Sequence, residues 1–282
     1  LYGSIIYNKA PIMMRQLELA LGKDGFKEGI QSYIKQYSNS NSDWNGLVSI
    51  LDQKTDLDLK QWSDVWVNST GRPVFSEQIT YDENQNISQF NLMQEAEDGT
   101  TKIWPQAFEI DLVYADHIQK IAVVSNRKKI ELPEAIGLKK PKTIIYNSNG
   151  FGYGVFPTNK KNLDVSFELK SDVSKAHIYI NTYENIVLGN GNVMNTYHSF
   201  LKGIELETNE LILALLTRQT LALFWYHLSS IERTELQPQL EAVLLKRLNS
   251  LASQNIKKTL FNTYQSIAYS PDGQARLFRI WS

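Results

Sequence analysis

The sequence predicts an α+β chain in three parts, helical at both ends with a small β-sandwich between them. Three observations carry this. Up to Trp66, apolar residues recur at the 3.6-residue spacing of amphipathic helices. At Pro73 the period changes to two and stays near it to Tyr146. After residue 157 helical spacing returns and holds to the end. The corresponding divisions are 1–72 (helical), 73–156 (β-sandwich) and 157–282 (helical, solenoid-like, expected to be cut short at its C-terminus).

The first helix has two possible starts. Ser4 could cap a helix beginning at Ile5, or Pro11 could mark the first turn of one beginning near Ala10. If the helix starts early, Pro11 has no N–H for the carbonyl of Tyr7, four residues back. Gly22 is a helix stop, and a second helix from Asp24 puts Phe26, Ile30, Tyr33, Ile34 and Tyr37 on one face. Ser38 to Ser42 is a loop. Trp44, Leu47, Val48 and Leu51 mark a third helix; Leu59, Trp62, Val65 and Trp66 mark a fourth, which stops by Gly71. Strands are predicted over Val74 to Tyr81, Ile87 to Gln94 (with one apolar face), Ala107 to Tyr114, Ile118 to Ser125 and Lys142 to Tyr146. Asp82 to Asn86 and Asp98-Gly99 are turns, and basic Arg127 to Lys129 reads as another. The glycine-rich Asn147 to Phe156 lacks the Gly-Lys-Ser/Thr ending of a phosphate loop and the spacing of a dinucleotide fingerprint, so it reads as a closely packed strand or bulge.

Leu163 to Leu169 alternates like a strand, yet Leu163 and Phe167 fit a helix face, and helices follow it. Asp172 to Leu188 is a helix with Val173, Ala176, Ile180, Tyr183 and Val187 on one side, broken by Gly189-Asn-Gly191. Further helices are predicted near 194–202, 208–228, 232–251, 254–268 and 274–281. Antiparallel pairs of this length suggest a solenoid or bundle, with no repeat strict enough to name.

With 29 basic and 30 acidic residues the chain is near neutral, which argues against nucleic acid or an anionic membrane as partner. It has no cysteine, so neither a disulfide framework nor thiol chemistry is available. No apolar run approaches the roughly 20 residues of a membrane span. These features leave a cytoplasmic and an extracytoplasmic compartment equally open. The doublets Lys139-Lys140 and Lys257-Lys258 carry no interleaved aromatics. Asp43, Asp56, Asp58 and Asp64 suit helix caps or solvated faces rather than a paired acid and base.

A zinc helix needs two histidines one turn apart and a further acidic ligand. The four histidines, His117, His177, His198 and His227, are far apart and none begins His-x-x-x-His. Each reads as an ordinary surface or hydrogen-bonded histidine. The stretch from Leu1 to Gly22 is more distinctive: a turn delivers Tyr7-x-Lys9 onto an apolar helix, and Trp66…Gly71-x-Pro73 follows. This combination resembles the aminopeptidase N family of zinc metallopeptidases. Asn147 to Phe156 and Ala176 to Leu228 resemble later segments of the same family more diffusely. Ala10, where the family commonly has glycine, and Pro11 depart from its pattern.

The resemblance implies that residues 1–72 are the helical tail of a thermolysin-like catalytic domain. It implies that Tyr7 stabilises the oxyanion of the tetrahedral intermediate and that Tyr2 lies near the bound substrate. A phenol suits the first role because it stays protonated at neutral pH, with a reference pKa of about 10. Lys9 matches the family's lysine and receives no chemistry. The family's cofactor is zinc and its substrates are peptides. Its metal motif lies upstream of the tyrosine, so this chain is expected to be a C-terminal piece without ligands, inert alone. A non-catalytic peptide- or protein-binding module, built from the sandwich and the helices, is the competing expectation.

Overall fold

The structure, a computed structural model, describes residues 3–250 and 253–282. It is a mixed α and β chain with two small sheets and many helices, dividing into two compact units, 1–157 and 158–282.

In the first unit, α1 runs Ser4–Tyr37 and kinks at Gly22, whose φ of 71° and ψ of 162° no helix contains. α1 is thus two helices joined at Gly22, which stops the first as the sequence suggested. The helix takes the earlier of the two expected starts. Its cap position is Gly3 rather than Ser4, with no side-chain cap, and Pro11 lies inside it. The carbonyl of Tyr7 therefore has no helical N–H to accept. Asp43 caps α2 (Trp44–Asp52) through the Gly46 amide at 2.9 Å. Asp58 caps α3 (Leu59–Ser63) through the Gln61 amide at 2.9 Å, and α3 runs on into a π-helical turn, Asp64–Asn68. Met13, Leu17, Leu51, Leu59, Trp62, Trp66 and Trp104 form one buried core. The rings of Trp62 and Trp66 stack at 5.3 Å, and both indoles donate to the carbonyl of Pro105, at 3.2 and 3.0 Å. Gly71, at φ 91°, then turns the chain out toward Pro73.

The strands are β1 (Pro73–Tyr81), β2 (Ile87–Ala96), β3 (Gln106–Val113), β4 (Ile118–Ser125), β5 (Lys129–Glu131) and β6 (Thr143–Tyr146). They form two antiparallel sheets, ordered β1-β2-β5 and β4-β3-β6. A register shift between Thr80 and Tyr81 lets Ile87 and Phe90, three residues apart, both point inward. Phe75, Phe90 and Leu92 of one sheet share a core with Phe108, Ile110, Leu112, Ile121 and Val123 of the other. Phe75 meets Phe108 edge-on at 5.5 Å and stacks on Phe156 at 4.6 Å. The basic turn lies at Arg127-Lys128, and the short strand β5 follows it from Lys129, because Ile130 is drawn into this core between exposed Lys129 and Glu131.

Past β6 the chain closes back on β1. Val155 pairs in parallel with Val74, and the amides of Phe75 and Val155 bond across at 2.8 and 2.9 Å. Asn147, itself at φ 54°, holds the intervening loop by bonding the amide and carbonyl of Gly152 at 2.7 and 3.0 Å. At Gly154 (φ 135°) a Cβ would stand 2.5 Å from the Pro73 carbonyl, so only glycine fits there.

The second unit is helical: α4 (Lys160–Ser166), α5 (Asp172–Val187), α6 (Val193–Leu206), α7 (Glu210–Ala222), α8 (Ser230–Ser250), α9 (Gln254–Ile267) and α10 (Pro271–Trp281). Leu163 and its neighbours are thus helical, as the following helices suggested. Asn159, Ser171, Asn192, Asn209, Ser253 and Ser270 cap α4, α5, α6, α7, α9 and α10 with their side chains. The buried face of α5 is Ser174, Ile178, Tyr179, Asn181, Thr182 and Ile186. Val173 and Val187, expected inside, are exposed.

Candidate functional site

Tyr7 lies on the opening turns of α1 and is 71% exposed. Lys9, two residues on, is half-buried, with its Nζ 5.1 Å from the centroid of the Tyr153 ring. Burial lowers its ammonium pKa below the ordinary lysine value. At 3.6 residues per turn the two side chains project about 200° apart. A lysine seated inward on the loop therefore presents the tyrosine outward.

Two turns further on, Gln16 fastens the same helix face. It is 2% exposed; its Nε2 donates to the carbonyls of Ala107 (2.7 Å) and Phe151 (2.6 Å), and its Oε1 accepts from the Ala107 amide at 2.7 Å. Arg15 lies over the Phe151 ring at 5.2 Å and pairs with Glu18 at 2.5 Å. Lys9, Arg15 and Gln16 thus hold α1 against β3 and the Asn147–Phe156 loop. Sequence reasoning gave Gln16 and Tyr153 no part in this. The available signal was a glutamine between Met13 and Leu17, on the stripe that faces the core.

Tyr2 lies outside the described residues. The histidines are dispersed. His117 bonds Asp116 at 2.8 Å and stacks on Tyr114. His177 is mostly buried, and desolvation pushes it down to about 4. His198 is exposed, and His227 meets the edge of Tyr183. Among the described residues no group of three or more His, Asp or Glu side chains could hold a metal ion, so these residues do not fit a zinc site. Among them, too, no helix is long and apolar enough to cross a membrane.

Residues 1–66 match the Peptidase family M1 domain. The fold is similar to that of Legionella pneumophila aminopeptidase A, solved in complex with aspartic acid. The TM-score is 0.59 at 12% identity, over 98% of this chain and 37% of that one. The matched segment is M1-like, and the fold of the whole chain is aminopeptidase-like. Aminopeptidase N of Streptomyces lividans is 24% identical over 188 residues, covering 62% of this chain and 22% of that protein. Bovine glutamyl aminopeptidase is 28% identical over 88 residues, covering 31% of this chain and 9% of that protein. These similarities support kinship with the aminopeptidase N family, and the chain spans about a quarter or less of the length of these relatives.

Proposed function

We propose that the protein to which this chain belongs is a zinc-dependent aminopeptidase removing N-terminal residues from peptides, and that Tyr7 donates its phenolic O–H to the tetrahedral oxyanion. The observation that carries the role of Tyr7 is its presentation: an exposed phenol, turned outward by an inward-seated lysine, on a helix fastened by Gln16. A preorganised donor of this kind stabilises charge that develops only in the transition state, so it acts on kcat rather than on ground-state binding. The similarity of residues 1–66 to the Peptidase family M1 domain supports the activity. Zinc enters as the family's cofactor only, since the described residues supply no ligands for it. In this reading 1–72 is the helical tail of the catalytic domain, 73–156 a β-sandwich and 157–282 a helical domain, and the chain alone is inert.

The test uses the native gene product, with bound zinc measured alongside hydrolysis of a leucyl chromogenic amide. About one zinc, activity, and a fall of about 10²–10³ in kcat for Tyr7→Phe with KM little changed are expected. Full activity in Tyr7→Phe would remove the oxyanion role. Neither zinc nor hydrolysis in the folded protein would replace the enzyme by a binding module.

A further inference from the structure

The opening turns of α1 are weakly held by their own backbone. No side chain caps the helix, no acidic residue sits in its first turn, and Pro11 removes the bond to the Tyr7 carbonyl. Of the residues whose burial is described, Tyr7 to Ile12 are exposed or half-buried, and the first buried one is Met13. The pose of Tyr7 therefore has to be set by side chains that reach out of these turns to something firm. Tyr153 is firm. Its amide is bonded by Gln106 Oε1 at 2.7 Å, its carbonyl accepts from Gln106 Nε2 at 3.0 Å, and its ring contacts Trp66 at 5.7 Å. Lys9 places its ammonium over that ring.

We propose that Lys9 is a positioning residue for Tyr7: seated on the Tyr153 ring, it fixes the rotation of the first turns of α1, so that the Asn147–Phe156 loop, and not the helix itself, sets where the Tyr7 hydroxyl points. This rests on the reading of Tyr7 as oxyanion donor and extends it to a segment about 145 residues away in sequence. Lys9 takes no part in the chemistry, since it projects about 200° away from Tyr7 around the helix. The contact needs a cation and an aromatic face, which makes the proposal specific to side-chain type. Arginine for Lys9, or phenylalanine for Tyr153, preserves it; methionine or leucine does not.

The native gene product is assayed with the leucyl amide, and amide hydrogen exchange is followed at Asn8, Lys9 and Ala10. Lys9→Met and Tyr153→Leu should lower kcat by up to about 10²-fold with KM within about twofold, as for a displaced catalytic group. Exchange at the three amides should speed up about two- to fivefold, the worth of an exposed cation–π contact. Lys9→Arg and Tyr153→Phe should restore both. In a Tyr7→Phe background, Lys9→Met should cost no further kcat, because it acts through the phenol it orients. An additive loss in that background, or Tyr153→Phe behaving like Tyr153→Leu, would overturn the proposal. So would unchanged exchange in Lys9→Met. If Tyr7→Phe alone proves fully active, the oxyanion reading fails, while the exchange rates still decide whether Lys9 holds the turn.

Discussion

Lowering the pH from 7 to 4.5 should loosen α5 through His177. The unfolded chain protonates this imidazole near 6.5, whereas the folded protein, which buries it, takes up the proton only near 4. Between those values the unfolded state binds more protons, so stability falls as pH falls. The contribution is whole above about pH 6.5, declines through the window and is exhausted near pH 4. At about 1.4 kcal/mol per pH unit the full gap is worth about 3 kcal/mol, and most of it is gone by pH 4.5. Carboxylates titrate in the same range, so the quantity to isolate is the difference between wild type and His177→Gln. Native-state hydrogen exchange at Ile178 and Tyr179, corrected for intrinsic rates at each pH, reads the opening of α5. Relative to pH 7, wild type should lose about 2–3 kcal/mol more than the variant at pH 4.5. A difference that stays flat across that range would refute the argument that burial holds His177 neutral.

Two substitution sets probe the first unit. Gly154→Ala combines a left-handed φ with a Cβ 2.5 Å from the Pro73 carbonyl and should cost about 3 kcal/mol or more in urea unfolding. Gly99→Ala, at φ 73° but with open space around its Cβ, should cost only about 1 kcal/mol. Gln16→Leu should cost about 2–3 kcal/mol by orphaning groups of Ala107 and Phe151, and Gln16→Glu more, because a carboxylate would then face two carbonyl oxygens; urea midpoints rank the pair.

Much of this architecture is legible in the periodicity. The change of period at Pro73, the strands that follow and the return of helices past 157 all leave plain traces in the sequence. What stayed hidden was decided by tertiary context. The strand Lys129–Glu131 escapes notice after the basic turn, because two of its three residues are charged and one inward isoleucine is a signal too short to count. On α5 the aliphatic residues form a convincing stripe, yet small polar Ser174, Asn181 and Thr182 line the packed face and Val173 and Val187 do not. A helix packed on several neighbours buries whatever shape fits. On α1, Ile34 belongs to a regular apolar face and is nevertheless 60% exposed. The candidate site divides the same way. Tyr7 and Lys9 stand out as a pair two residues apart. Gln16 does not, because its three bonds are made to backbone 91 and 135 residues away, and backbone leaves no mark in a sequence.

The two indoles that converge on Pro105 make an unequal partnership. A carbonyl oxygen has two lone pairs, and here Trp62 and Trp66 take both. Were either ring lost, the oxygen would keep a donor, and the damage would be confined to the volume left behind. Were the backbone at 105 to shift, two buried N–H groups would lose their acceptor together. Tolerance to change is therefore expected at either tryptophan taken singly before it is expected in the geometry of the short Trp104-Pro105 link. The most constrained feature of this core is an oxygen that no substitution can remove.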